Sequence, residues 1–159
     1  MKQPSTSQST RKPTKWGDLP LWENQVDAIE KCLAYLKKPE QSALVQMPTG
    51  SGKTGVIAVL SSLSAHDGPV LVISPSRPLV DQLAGDIHKG FWKTMKSTGW
   101  GPEYTHTIQP STIGQLLSDA KQAPTTRVIV GTFQALSQIR RLNSESYKEL
   151  ASTRGTLWT

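Results

Sequence analysis

The chain has 159 residues, 36% hydrophobic and 19% charged, with a formal net charge of +6. Such values suit one α/β-type domain with a buried core and exclude a fibrous or wholly disordered polymer. No run approaches the roughly 18 apolar residues of a membrane span, and the first residues lack the apolar block of a secretory signal. The single cysteine, Cys32, rules out an intramolecular disulfide and fits a reducing, cytoplasmic setting.

Lys2, Arg11, Lys12 and Lys15 precede the first acidic residue, Asp18, and account for four of the six net positive charges. Residues 1–17 hold mostly Ser, Thr, Gln, Lys and Pro without apolar periodicity, so a disordered basic leader is expected there and an ordered domain over 18–159. A basic leader can hold nucleic acid loosely through counterion release. A transit peptide fits less well, given Pro4, Pro13 and no apolar helical face.

From Leu21 the pattern changes. Trp22, Val26, Ile29, Leu33 and Leu36 form one stripe of an amphipathic helix, closed by Lys37, Lys38 and Pro39. Ala43–Met47 is an apolar run ending in a Gly-rich turn, and is expected to be a buried strand. Gly55–Leu63 follows as a helix with Val56, Ile57, Val59, Leu60 and Leu63 on its apolar face. Asp67-Gly68-Pro69 turns the chain into a second buried strand, Val70–Ile73. Ser76 is placed to cap a helix carrying Leu79, Val80, Leu83 and Ile87, with Pro78 in its first turn. Phe91–Pro110 is hard to read apart from a short strand over Tyr104–Ile108. Ser111–Lys121 has a helical pattern, Arg127–Gly131 is a buried strand, and Phe133–Leu142 and Ser146–Ala151 are helices. In the last, Ser146 and Glu149 have capping-box spacing. Thr156–Thr159 opens another strand. Apolar strands without alternation, separated by helices, predict a parallel sheet covered on both faces.

The octapeptide Met47-Pro48-Thr49-Gly50-Ser51-Gly52-Lys53-Thr54 matches G-x-x-x-x-G-K-[ST], except that Met47 replaces the first Gly. Gly50 and Gly52 allow a bend in which successive amides point inward at phosphate oxygens. The helix that follows adds its unpaired N–H groups and positive dipole end. Lys53 is placed to reach the β- and γ-phosphates, and Thr54 to offer a hydroxyl to Mg²⁺. Gly50–Gly55 also satisfies G-x-G-x-x-G. A dinucleotide site needs an acidic residue at the end of the second strand, and Ser74-Pro75-Ser76 supplies none. The expected ligand is therefore a nucleotide phosphate chain with Mg²⁺, bound by Pro48, Thr49, Gly50, Ser51, Gly52, Lys53 and Thr54.

The core Pro48–Thr54, together with Met47 at the relaxed first position, resembles superfamily 2 helicases. Three further stretches follow in order. Leu21-Trp22-Glu23-Asn24-Gln25 resembles the Leu-Arg-x-Tyr-Gln segment of the restriction-type and excision-repair-type branches, in which the Gln reads adenine. Leu71–Gln82 looks like motif Ia, with Arg77 at its Arg. Val128–Leu136 looks like motif Ic, with Thr132 at the Thr that touches the nucleic-acid backbone in relatives. The resemblance spans about Leu21–Thr159. It implies an amino-terminal RecA-like domain of the restriction type III-like kind, ATP and Mg²⁺ as cofactors, and nucleic acid as partner, with DNA ahead of RNA. Gln25 would read the base, Lys53 and Thr54 would act on the phosphates, and Arg77 and Thr132 would touch the nucleic acid.

The sequence also departs from that pattern. Pro78 stands where DEAD-box members commonly carry Glu, no double-Gly motif Ib is recognisable, and no Asp-Glu-x-His or Asp-Glu-Ala-Asp follows Thr132. The resemblance implies a chain cut before its acidic box and without the second RecA-like domain, and so one that binds ATP weakly without turning it over. It also implies an open edge at the phosphate-loop strand, with poor solubility or partial disorder. A kinase-like P-loop enzyme and a non-catalytic nucleotide-binding module remain as alternatives. His66, His88 and His106 are scattered and define no zinc site. Trp92 and Trp100 are expected to be packing residues rather than base-stacking ones.

Overall fold

The computed structural model describes residues 19–37, 44–97, 100–108, 111, 127–151 and 155–158. The basic leader, and the helix expected over Ser111–Lys121 beyond its first residue, lie outside the described residues. In chain order the elements are α1 (Glu23–Leu36), α2 (Lys53–Ser64), β1 (Val70–Ser74), α3 (Arg77–Gly85), a π-turn (Asp86–Gly90), α4 (Phe91–Thr94), β2 (Tyr104–Thr107), β3 (Arg127–Thr132), α5 (Phe133–Leu142), α6 (Ser144–Ala151) and β4 (Gly155–Trp158).

β-Branched and aliphatic runs build the sheet because they fit a pleated surface buried on both sides. β1 pairs with β3 in parallel, Val70 opposite Val128 and Ser74 opposite Thr132. β4 lies parallel on the other side of β1, and β2 parallel beside β3, giving the order β2-β3-β1-β4.

Alternate side chains then enter two separate cores. Val70, Val72, Val128 and Val130 pack against Ile29 of α1, Val56, Val59 and Leu60 of α2, and Val80, Leu83, Ile87, Phe91 and Trp92. Leu71, Ile73 and Ile129 face the other way, onto Ile108 and onto Leu136 and Ile139 of α5, with Tyr147 of α6 alongside. Two apolar faces explain why the strands read as unbroken apolar runs. This is the expected α/β arrangement, a parallel sheet between two helical layers.

The helix capped at Ser76 is longer than its sequence pattern suggests. α3, the π-turn and α4 form one continuous helical run from Arg77 to Thr94, entered with Pro in the first turn. Within the run the Trp92 indole N–H donates to the Ile87 carbonyl at 2.7 Å. Ser76 occupies the cap position, but its side chain makes no capping bond.

Two expectations are corrected. Leu44–Met47 forms no strand, and Leu44 and Val45 are 95% and 42% exposed. Both sides of β1 are taken by β3 and β4, so this run has no ladder partner among the described residues. Apolar character alone does not make a strand, because strands are stabilised through their neighbours. Only Met47 of the run packs against the core. The second correction concerns α6, which starts at Ser144, where Asn143 rather than Ser146 acts as the cap: Asn143 Oδ1 accepts from the Ser146 amide at 3.0 Å. Asn is among the strongest capping residues, and the bond satisfies one of the orphan donors of the first turn.

α5 packs one face on the second core and turns the other to solvent. Ile139 is 1% exposed and Leu142 is 79% exposed. Ile139→Ala is expected to lower unfolding free energy by about 2–5 kcal/mol in urea titration, whereas Leu142→Ala should change it by less than about 0.5 kcal/mol.

Candidate nucleotide-binding site

The phosphate loop leads directly into α2, whose N-cap is Gly52 at φ 79, ψ 35. Gly50 also sits at φ +79. Left-handed backbone at both positions requires residues without a Cβ. The loop is closed by the Ser51 hydroxyl donating to the Pro48 carbonyl at 2.7 Å and by the Ser51 amide on the same oxygen at 3.3 Å. Beyond it the Gly55 amide returns to the Gly52 carbonyl at 2.9 Å. The amides of Gly52, Lys53 and Thr54 have no acceptor among the described residues. They are the orphan donors of a helix start, pointing along the positive end of its dipole. Lys53 is exposed and Thr54 half-buried. This donor set fits a phosphate chain with its metal: open amides, a free ammonium and one hydroxyl at the head of a 12-residue helix.

Gln25 ties this loop to the rest of the fold. It is 4% exposed, and both ends of its carboxamide are engaged. Its Oε1 accepts from the Trp22 amide at 2.9 Å, satisfying a donor at the start of α1, and its Nε2 donates to the Gly52 carbonyl at 2.9 Å. The neighbouring Asn24 donates to the Ser51 carbonyl at 3.3 Å. The approach is so close that a Cβ on Gly52 would lie 2.3 Å from Gln25 Nε2.

A cleft of about 260 Å³ adjoins the head of α2, lined by Pro20, Trp22, Gln25, Gly52, Thr54, Gly55, Asp86, Gly90, Phe91, Thr94 and Met95. Of the residues singled out from sequence, it brings together Gln25, Gly52 and Thr54. Pro48, Thr49, Gly50, Ser51 and Lys53 belong to the adjoining loop without lining the cleft. Asp86, Gly90, Phe91, Thr94 and Met95 come from the π-turn and α4 and carry no sequence motif. Their only sequence signal was their position just beyond the motif Ia helix.

Arg77 and Thr132 sit elsewhere, just past the carboxyl end of β1 and at that of β3. Arg77 opens α3 and pairs with Asp81 at 3.3 Å, both side chains more than half exposed. Thr132 caps α5, its hydroxyl accepting from the Ala135 amide at 3.1 Å. Neither lines the cleft. Burial pushes the Cys32 thiol above its ordinary value, which keeps it protonated and unreactive. Among the described residues no His, Cys, Asp and Glu cluster could hold a metal ion, and no helix is long and apolar enough to cross a membrane.

A glycine-bent loop feeding a helix that packs on a parallel sheet defines a P-loop domain of the RecA-like type. The family described as "Type III restriction enzyme, res subunit" matches residues 18–155, and the chain belongs to that family, within the superfamily 2 helicase type. The chain is also similar to Regulator of nonsense transcripts 1 of Caenorhabditis elegans, 40% identical over 89 residues. That match covers 55% of this chain and 8% of the relative. No solved structure matches the chain significantly.

The loop geometry separates two glycines that look equivalent in sequence. Gly50→Ala meets nothing within 4 Å and carries only the backbone penalty, about 1–2 kcal/mol. Gly52→Ala adds a collision with Gln25. Thermal melts are expected to rank Gly52→Ala clearly below Gly50→Ala, and Gln25→Ala should restore part of the difference when combined with Gly52→Ala.

Proposed function

We propose that this chain is the ATP-binding portion of an ATP-dependent nucleic-acid helicase or translocase, with residues 18–159 forming part of its RecA-like domain. The observation that carries this reading is the set of open amides at Gly52, Lys53 and Thr54 behind two positive-φ glycines. Backbone donors in this arrangement recognise phosphate oxygens, and Lys53 adds a mobile positive charge for the β- and γ-phosphates. Pro48, Thr49, Gly50 and Ser51 shape the loop, and the Thr54 hydroxyl would ligate Mg²⁺. A metal held there would supply positive charge to offset that of the phosphate chain. Gln25 sits where a base would leave the loop, and its amide retains one further N–H and lone-pair capacity for adenine.

Arg77 and Thr132 follow adjacent parallel strands at their carboxyl ends, the edge at which open α/β sheets bind their ligands. This placement supports contacts to a nucleic-acid backbone, with Thr132 held by its capping bond. The family's description, a restriction enzyme subunit, points to DNA, while the nematode relative is named for its action on transcripts. The family match spans more of the chain, and DNA is the preferred partner on that ground. Within these 159 residues no paired Asp-Glu follows Thr132 to help anchor the metal and orient the attacking water. The chain itself therefore binds nucleotide without turning it over.

Lys53→Ala is expected to weaken ATP binding about tenfold or more, the scale of one charge-assisted hydrogen bond, as measured by calorimetry with Mg²⁺ present. Unchanged affinity would remove the assignment. Phosphate release stimulated by DNA from the chain alone would contradict binding without turnover.

A further inference from the structure

The cleft beside α2 differs in character from the loop it adjoins. Among the described residues its lining holds no lysine or arginine, and the one charged group there is the carboxylate of Asp86. A triphosphate would be repelled there, so the cleft suits the uncharged end of a nucleotide. Its volume of about 260 Å³ falls below the roughly 300–1,000 Å³ of pockets that take a whole drug-sized ligand. The walls are planar or soft: Trp22, 37% exposed, with Phe91 and Met95. Such surfaces favour a flat heterocycle.

The polar groups narrow the choice further. Gln25 spends one N–H on Gly52 and one lone pair on Trp22. The Thr94 hydroxyl donates to the Gly90 carbonyl at 3.0 Å. Asp86 makes no side-chain hydrogen bond or ion pair among the described residues. It opens the π-turn, a feature that often marks functional positions because the extra residue re-aims side chains. Gly90 closes the same turn, and a Cβ there would stand 2.7 Å from Asp86 Oδ1. The glycine therefore leaves the carboxylate its place at the cleft.

We infer that Asp86 is a specificity-determining residue of this site, accepting a hydrogen bond from the exocyclic amine of adenine. This rests on the nucleotide-binding reading above and adds to it the group that selects the base. An ionised carboxylate only accepts, so it rewards a base with an amine and gives nothing to one without.

The test uses the full chain with Mg²⁺ and three probes: ATP, purine riboside triphosphate, which lacks only the 6-amine, and inorganic tripolyphosphate. The unaltered chain is expected to bind ATP about tenfold more tightly than purine riboside triphosphate. Asp86→Ala should bring the two affinities together while leaving tripolyphosphate binding unchanged, which also reports an intact loop. Equal affinities in the unaltered chain would overturn the inference without any variant being needed. So would a preference that survives Asp86→Ala, or a matching loss of tripolyphosphate binding, which would assign the carboxylate to the metal or the fold. Failure of the nucleotide-binding reading shows separately, as Lys53→Ala leaving both ATP and tripolyphosphate affinities intact.

Discussion

The bond from Gln25 Nε2 to the Gly52 carbonyl, 2.9 Å long and made by an almost fully buried side chain, is the contact on which the site depends. Gly52 is at once the last bend of the phosphate loop and the cap of α2. Fixing its carbonyl sets the plane of the following peptide, and with it the direction of the amide that would meet a phosphate. Because the other end of the same carboxamide caps α1, the starts of two helices are referenced to one side chain. A substitution at Gln25 would remove the acceptor of the Trp22 amide and one of the donors on the Gly52 carbonyl, which keeps the Gly55 amide, at about 0.5–1.5 kcal/mol for each bond lost.

The sheet contributes by separating tasks. One core seats α1, α2 and the long helical run that together enclose the cleft, while the other seats α5 and α6. Parallel pairing of β1 with β3 carries both chain exits, at Ser74 and Thr132, to the same edge. Arg77 and Thr132 are thereby presented near each other's strand ends although 55 positions separate them in sequence. The π-turn belongs to the first task. It shifts the register of the helical run by one residue, so that Phe91 and Trp92 point into the core while Asp86 and Gly90 reach the cleft.

Much of this was legible in the sequence because it rests on local rules. Val70–Ile73 and Arg127–Gly131 are β-branched runs too short for helices, and both form strands. The spacing of Gly50 and Gly52 located the loop, and Thr132 was singled out through the resemblance to motif Ic. Three features were not legible. The fate of Leu44–Met47 depends on which strands flank β1, a question of partners that no local pattern answers. Asn143 displaced Ser146 because a cap is decided by where the helix begins, and the capping-box spacing gave a start two residues late. The cleft wall from Asp86 to Met95 was hidden because a π-turn breaks the 3.6-residue period on which helical reading relies.

The exposed approach to the loop bears on how tightly the site can grip. Leu44 and Val45 are exposed and have no ladder bonds among the described residues, whereas downstream the loop is anchored by α2 and Gln25. Segments with few buried contacts open at low free-energy cost. A ligand that orders them must offset that lost freedom, which lowers the net affinity. The same coupling works in reverse: any contact that fixes Leu44–Met47 in an extended form makes phosphate binding less costly, since the ordering has already been done. The strength of this phosphate loop is thus set by what covers the segment that leads into it, as much as by its own glycines and lysine.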